Sequence, residues 1–144
     1  MDVAQMELPM PVYNAFSGLN DKGYDLPNQN WLPVGPAFKL NKLADATAVE
    51  LEYSGEVLAA SITNGNGIYF VIRLNNKPPT YLSRGSLKTT DLQCEISTKS
   101  VYVGLPKGIY TVQIYAQAAN AGSSAKGVVL DPGGWGEAIL VTEL

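Results

Sequence analysis

Two glutamates, Glu50 and Glu52, are the residues of this 144-residue chain whose type and spacing come nearest to catalytic chemistry. A pair of carboxyl groups can act as general acid and as base or nucleophile in glycoside hydrolysis. The two glutamates, however, alternate with the apolar residues Val49, Leu51 and Tyr53. That spacing predicts the polar face of a half-buried strand, so we assign no catalytic residue.

The composition excludes most other catalytic and metal-binding chemistry. The chain has no histidine and a single cysteine, Cys94, which rules out serine–histidine pairs, cysteine–histidine pairs and the common zinc sites. Gly65-Asn66-Gly67 lacks the strand-to-helix setting of a dinucleotide site. Asp131-Pro132-Gly133-Gly134 could offer oxygens to calcium, but it matches no standard loop and is interpreted as a turn. We expect no cofactor, no metal and no enzymatic activity.

Aromatic residues offer a different kind of site, because their rings could stack on sugars. The alternative is that Trp31 and Trp135 cover the ends of a hydrophobic core and that Tyr115 lies at a contact between subunits. Large aromatic side chains are mostly packing residues and interface anchors, which favours the alternative. The aromatic residues considered for sugar stacking are Tyr24, Trp31, Tyr81, Tyr115 and Trp135.

Charge and targeting signals narrow the class of partner. The formal net charge is −3, and the ten lysines and arginines are scattered, so no basic face for nucleic acid is predicted. The amino terminus lacks the basic and apolar regions of a secretory signal, and no stretch reaches membrane-spanning length. We expect a protein that is made in the cytoplasm, is not secreted and binds neither nucleic acid nor membrane.

The elements that must position these residues are short strands. From 104 onward, a Gly-Leu-Pro-Lys-Gly turn precedes a segment in which Tyr110, Val112, Ile114 and Ala116 alternate with polar residues, and this predicts a strand with one dry face. Similar segments recur about every ten residues, which predicts an all-β antiparallel sandwich. Asn64-Gly65-Asn66-Gly67 separates two of them and predicts a hairpin between 57–62 and 68–74.

Three of the predicted strands, 57–62, 68–74 and 137–144, are apolar on both faces. A strand of a sandwich needs only one dry face, so the second face predicts a contact with another copy of the chain. The residues predicted to lie in this contact between copies are Leu58, Ala60, Tyr69, Val71, Tyr115, Ile139 and Val141.

The first 29 residues are predicted to form an extended arm outside the sandwich domain, which spans 30–144. Pro9 and Pro11 disfavour a helix and leave one backbone edge without donors. An extended segment with one complete edge can add to the sheet edge of a neighbouring protein. The predicted partner-binding residues of the arm are Met6, Leu8, Met10, Val12, Tyr13 and Phe16.

The runs GLPKGIYTVQIYAQ and VVLDPGGWGEAILVTEL resemble the last strands of C1q/TNF-like jelly-roll domains, and most of all the small trimeric jelly rolls of tailed-phage virions. The resemblance covers roughly 30–144. It implies a homotrimeric virion protein, a capsid decoration protein that binds the major capsid protein or neighbouring virion subunits through its arm. The alternative that it implies is the receptor- or carbohydrate-binding head of a tail fibre or appendage.

Overall fold

A computed structural model of the chain describes residues 12–13, 23–65, 67–88, 92–130 and 138–143. These residues form strands and no helix, and therefore include no helix that is long and apolar enough to cross a membrane. The strands are β1 (Val12–Tyr13), β2 (Tyr24–Leu26), β3 (Leu32–Pro33), β4 (Phe38–Lys42), β5 (Val49–Leu58), β6 (Ser61–Thr63), β7 (Gly67–Leu74), β8 (Tyr81–Ser83), β9 (Gly85–Lys88), β10 (Gln93–Tyr102), β11 (Gly108–Ala118), β12 (Ser124–Leu130) and β13 (Ala138–Glu143).

The strands build two antiparallel sheets. The first sheet has the order β1-β13-β5-β10-β8, and β12, which also pairs with β2 and β6, joins it beside the end of β5. In the second sheet, one edge of β11 pairs with β3 and β4, and the other edge pairs with β7, which pairs with β9. The prediction of an all-β antiparallel sandwich is thereby confirmed.

The hydrophobic core lies between the sheets and is supplied by alternate residues of each strand. In β11, Val112, Ile114 and Ala116 are buried in the core while Gln113 and Gln117 are only partly buried, so the predicted period of two is confirmed. The largest fully buried apolar side chains are Leu26, Leu40, Leu51, Tyr53, Ile68, Phe70, Ile72, Leu74, Leu87, Ile114 and Leu130.

Side chains of β10 join the two sheets along one side. The Ser100 hydroxyl donates to the carbonyl of Ile72 at 2.6 Å, and the Tyr102 hydroxyl accepts from the amide of Leu74 at 2.9 Å. The Tyr102 hydroxyl also donates to the carbonyl of Lys77. Strand β9 pairs with β7 only as far as Phe70, so these side chains satisfy backbone groups that would otherwise lack a strand partner.

Replacing Tyr102 with phenylalanine should lower the free energy of unfolding by about 1–3 kcal/mol, because the change leaves a buried amide and a carbonyl without their partner. Burial raises the pKa of Tyr102 to about 12, so the hydroxyl stays protonated and able to donate throughout the neutral range. Urea unfolding measures the loss. The control is Tyr81→Phe, since Tyr81 is 66% exposed; equal effects of the two changes would contradict the bridging role.

The hairpin predicted at Asn64-Gly65-Asn66-Gly67 is wrong. Strand β6, before this segment, pairs with β12 in the first sheet, and β7, after it, pairs with β11 and β9 in the second. The segment therefore carries the chain from one sheet to the other. The physical reason is that an Asn-Gly turn signal favours a reversal of the chain but does not specify that the strands on either side of it pair with each other.

The predicted boundary between arm and domain also needs correction. Strand β2 pairs with β12, Leu26 is fully buried in the core, and Tyr24 packs against it. Residues 24–26 thus belong to the sandwich. Strand β1 pairs with β13, with Val12 opposite Leu140 and Tyr13 opposite Ile139. The other predicted arm residues, which lie outside the described residues, are Met6, Leu8, Met10 and Phe16.

Candidate functional site

The outer face of the second sheet is where the sequence places its arginines and aromatic residues together. Ile72 and Leu74 of β7 point into the core, so Arg73 between them points outward. In β11, Tyr115 lies between the buried residues Ile114 and Ala116 and pairs with Val71 of β7. Local alternation along each strand, together with the β7–β11 register, brings these outward side chains side by side.

Arg73 is held between two aromatic rings. Its guanidinium carbon lies 5.1 Å from the ring centroid of Trp31 and 5.7 Å from that of Tyr115, which is within the range of cation–π attraction. Its Nη1 donates to Oδ1 of Asn76 at 3.2 Å. Its Nε is buried and has no hydrogen-bond partner in the described part of the chain. The stack fixes a half-buried cation at the centre of this face.

Two glutamines of β11 fix the segment that carries Trp31. Nε2 of Gln117 donates to the carbonyl of Gln29 at 2.8 Å, and Nε2 of Gln113 donates to the carbonyl of Gly35 at 2.7 Å. Between these two anchors, β3 pairs with β11, with Pro33 opposite Tyr115. Trp31 therefore belongs to the outer face and not to the core, which corrects the prediction that it covers one end of the core. Trp135, the other predicted cover, lies outside the described residues.

A second stack lies nearer to β9. The guanidinium carbon of Arg84 is 4.1 Å from the ring centroid of Tyr69. A shallow pocket of about 200 Å³ opens beside this ring. Its lining includes Ser86 and Lys88, so it combines an aromatic surface, a hydroxyl and an ammonium group.

The whole face is electropositive. None of the five strands of the second sheet contains an aspartate or a glutamate. Burial raises the pKa of the Tyr115 hydroxyl, while the charge of Arg73 acts in the opposite direction, so this tyrosine adds no negative charge at neutral pH. We name as the basic-aromatic face Trp31, Lys39, Tyr69, Arg73, Arg84, Lys88 and Tyr115.

The outer face of the first sheet has the opposite character. Glu50, Glu52 and Glu56 of β5 alternate with buried residues, and Glu95 of β10 lies directly opposite Glu56. Lys99 is the one cation on the outward positions of β5 and β10, and its Nζ lies 3.4 Å from Oε1 of Glu50. We name these four glutamates the acidic face. Glu50 and Glu52 thus lie on a partly exposed strand surface, where the sequence interpretation put them.

The predicted trimer residues are divided between the core and the surface. Ile139 and Val141 are each 1% exposed and belong to the core, so the prediction that they face another copy is wrong. The reason is that β13 lies inside the first sheet between β1 and β5, with its odd-numbered residues turned inward. Val71 and Tyr115 point to the outer side of the second sheet, but they too are buried, with 0% and 7% of their surface exposed.

The remaining predicted interface residues have accessible surface. Leu58 and Tyr69 are half-buried, and Ala60 is exposed. Tyr69 lies on the basic-aromatic face, whereas Leu58 lies at the end of β5 opposite Gln93. The structure therefore does not bring the seven predicted residues into one patch.

A buried ion pair, which the sequence did not signal, joins Glu143 of β13 to Lys42 at the end of β4. The side chain of Lys42 is 0% exposed, and its Nζ lies 3.3 Å from Oε2 of Glu143. That ammonium also donates to Thr47 at 2.7 Å and to the carbonyl of Ala44. The glutamate accepts from the amides of Leu43 at 3.0 Å and Ala44 at 2.9 Å. The pair is a structural clamp at one end of the sandwich.

The described parts of the chain bring together no cluster of metal-binding side chains. Within 23–65, 67–88, 92–130 and 138–143, no three cysteines or carboxylates are close enough to hold a metal ion. The turn Asp131-Pro132-Gly133-Gly134, weighed above for calcium, lies outside these residues. The described surface has two sheet faces of opposite charge, the basic-aromatic face and the acidic face.

Comparisons with known proteins match this chain to solved structures but not to a family model or a curated protein. No family model matches the chain, and no curated protein matches it in sequence. Among solved structures, the chain is similar to the tripod (BppUct-A-L) from the baseplate of bacteriophage Tuc2009. The sequence identity is 18% and the TM-score is 0.49, over 90% of this chain and 68% of that chain.

Proposed function

We propose that this chain is a non-catalytic structural protein of a tailed-phage virion that assembles as a homotrimer and decorates the capsid. The observation that carries the proposal is the basic-aromatic face. Tryptophan, tyrosine and arginine are the residue types most enriched at the centres of protein–protein interfaces. Here the guanidinium of Arg73 already lies over the rings of Trp31 and Tyr115, so little side-chain entropy is lost when a partner binds.

The virion context rests on the resemblance of 104–117 and of the carboxyl-terminal run to C1q/TNF-like jelly rolls, and the strand pairing supports the same fold. Eight strands, β1, β4, β5, β7, β9, β10, β11 and β13, pair as nested antiparallel partners: β1 with β13, β4 with β11, β5 with β10 and β7 with β9. One long antiparallel ribbon rolled into two sheets gives this nesting, which is the principle of a jelly roll.

Attachment to the capsid is assigned to the segment before β2. Val12 and Tyr13 already form a strand on the edge of β13, so this part of the chain can add to a sheet. A partner such as the major capsid protein or a neighbouring virion subunit would be bound through Met6, Leu8, Met10 and Phe16. In this proposal the protein is made in the host cytoplasm and needs no secretion.

One observation favours a second candidate, the receptor- or carbohydrate-binding head of a tail fibre. The pocket beside Tyr69 joins an aromatic ring to Ser86 and Lys88, and such a combination suits a sugar that carries negative charge. In this alternative the basic-aromatic face is free for recognition and is not buried between copies of the chain.

The test mixes the purified protein with DNA-free capsids and, separately, with tails of the same phage, and follows sedimentation. We expect the protein to sediment with capsids and not with tails, and to have three times the chain mass by light scattering. A deletion of residues 1–11 should abolish capsid binding but leave the mass unchanged. Binding to tails alone would establish the second candidate, and a monomer at micromolar concentration would contradict the homotrimer.

A further inference from the structure

We propose that the pocket beside Tyr69 binds one sugar unit that carries a carboxylate or a phosphate group. This inference rests on the second candidate function above, the binding head, and names the residues of its site and the class of its ligand. The pocket has a volume of about 200 Å³, which is below the roughly 300–1,000 Å³ of sites for drug-sized ligands. It therefore fits a single ring and not a longer chain.

The strand register places the lining of this pocket on the outer face of the second sheet. In the pairing of β7 with β9, Gly67 lies opposite Lys88 and Tyr69 lies opposite Ser86. The residues that alternate with them, such as Ile68, are buried in the core. A phenol ring, a hydroxyl and an ammonium group therefore project from the same side of the sheet.

Gly67 leaves the floor of the pocket without a side chain. A Cβ atom at this position would lie 2.2 Å from the carbonyl oxygen of Leu87, so a larger residue does not fit here unless β9 moves. The carbonyl of Gly67 accepts a hydrogen bond from the amide of Ala119 at 3.0 Å. Ala119, which also lines the pocket, has only a methyl side chain. The floor is thus held in place, and the space beside the Tyr69 ring stays open.

The ring of Tyr69 provides the surface on which a sugar can stack. The guanidinium carbon of Arg84 lies 4.1 Å from the ring centroid. Arg84 is not among the residues that line the pocket, so the cation and the pocket lie on different sides of the ring. The cation–π contact holds the ring in one orientation, and this reduces the entropy that is lost when a ligand binds.

The charge of the pocket favours an acidic ligand. Lys88 is exposed, and it takes part in neither of the ion pairs among the described residues, Lys42–Glu143 and Lys99–Glu50. None of the described residues that line the pocket is acidic. Its ammonium group can therefore pair with a carboxylate or a phosphate of the ligand.

A pocket on the first sheet has the same residue types but a different charge. It has a volume of about 220 Å³, and its lining includes Tyr81, Ser83 and Lys99. The Nζ of Lys99 lies 3.4 Å from Oε1 of Glu50, so the charge of this ammonium is already balanced. We therefore expect an acidic sugar to bind beside Tyr69 and not beside Tyr81.

Isothermal titration calorimetry of the purified protein tests the site with four probes: glucuronic acid, glucose 6-phosphate, glucose and inorganic phosphate. At least one of the two acidic sugars should bind with a Kd of about 1 mM or tighter. Glucose and inorganic phosphate should each bind at least about 10-fold more weakly than that sugar, because each lacks either the charge or the ring.

Variants locate the binding. Tyr69→Ala and Lys88→Gln should each weaken binding of the acidic sugar by about 10-fold or more, because each removes one of the two contacts. The matched control is Tyr81→Ala/Lys99→Gln, which makes the same substitutions in the pocket of the first sheet and should leave the affinity unchanged. Circular dichroism verifies that each variant is folded. If a variant fails to fold, the selectivity of the wild type among the four probes still tests the proposal.

Three results would overturn the proposed site. The first is that neither acidic sugar binds at about 10 mM. The second is that inorganic phosphate binds as tightly as glucose 6-phosphate, which would show a contact with the anion and none with the sugar. The third is an equal loss of affinity in the control variant.

The outcome is separate from that of the sedimentation experiment. A protein that sediments with tails but binds neither acidic sugar would overturn this site and leave the second candidate function standing. A protein that sediments with capsids alone would contradict that candidate function, whereas calorimetry would still decide whether the pocket binds an acidic sugar.

Discussion

Replacing Glu143 with alanine is expected to lower the free energy of unfolding by about 3–5 kcal/mol. The change leaves the ammonium of Lys42, whose side chain is 0% exposed, without its counter-ion. It also removes the acceptor of the Leu43 and Ala44 amides and of the Thr47 hydroxyl, which donates to Oε2 at 2.6 Å. An uncompensated buried charge is among the few causes of a loss this large. Urea unfolding followed by circular dichroism measures the loss.

A second ion pair among the described residues supplies the matched control. Lys99 and Glu50 also approach within 3.4 Å, but their side chains are 46% and 32% exposed. Glu50→Ala should therefore cost no more than about 1 kcal/mol. In Lys42→Met/Glu143→Leu both charges are replaced by apolar groups, and most of the stability should return. If Glu143→Ala and Glu50→Ala were equally mild, the clamp would not be a stabilising feature.

The carboxylate of Glu143 also predicts that the free energy of unfolding decreases at acid pH. Burial acts to raise the pKa of Glu143, but the hydrogen bonds that it accepts from Thr47, Leu43, Ala44 and Lys42 outweigh burial, so its pKa in the folded state is lowered from 4.5. Its contribution to stability is therefore complete above pH 4.5 and is lost as the pH falls through the folded-state pKa, because the unfolded chain binds the proton first. Glu143→Gln should flatten this part of the stability–pH curve.

Replacing Leu26 with alanine should lower the free energy of unfolding by about 2–5 kcal/mol, as expected when a fully buried leucine leaves a cavity. Leu26 is 0% exposed and pairs with Ala125 through β2 and β12. The experiment tests whether the sandwich includes residues 24–26. Equilibrium unfolding in urea gives the value, and the slope against urea should stay unchanged if unfolding remains two-state.

Leu43→Ala is the control for this change, since the side chain of Leu43 is 66% exposed. The same truncation there should change stability by no more than about 0.5 kcal/mol. If Leu26→Ala proved as mild as Leu43→Ala, strand β2 would contribute nothing to the core. The boundary that the sequence predicted, between an arm of residues 1–29 and a domain of residues 30–144, would then be the better one.

Local alternation is what made the strands predictable. The pattern of Val112, Ile114 and Ala116 against Gln113 and Gln117 depends only on the two-residue repeat of an extended chain, and the structure confirms it. The same reasoning located β5 through Val49, Leu51 and Tyr53. It also put Glu50 and Glu52 on the outer face, because residues next to buried ones must point away from the core.

This reasoning failed for the strands that have apolar residues on both faces. In β13, alternation showed that Ile139 and Val141 share a face, but not which way that face turns. The direction is set by pairing with β5 and β1, so the residues assigned to a subunit contact are core residues. The Asn-Gly segment at 64–67 failed for a related reason, since a turn signal does not specify which strands pair.

The all-β class, the position of most strands and the absence of histidine chemistry could be predicted from the sequence, since they follow from composition and from nearest-neighbour geometry. The sites could not be predicted in this way, because they form only when distant strands pair. Arg73 meets Trp31 and Tyr115 because β3 and β7 pair with opposite edges of β11. Lys42 meets Glu143 across 101 residues. Such contacts depend on strand pairing between distant segments, and no local periodicity in the sequence records which segments pair.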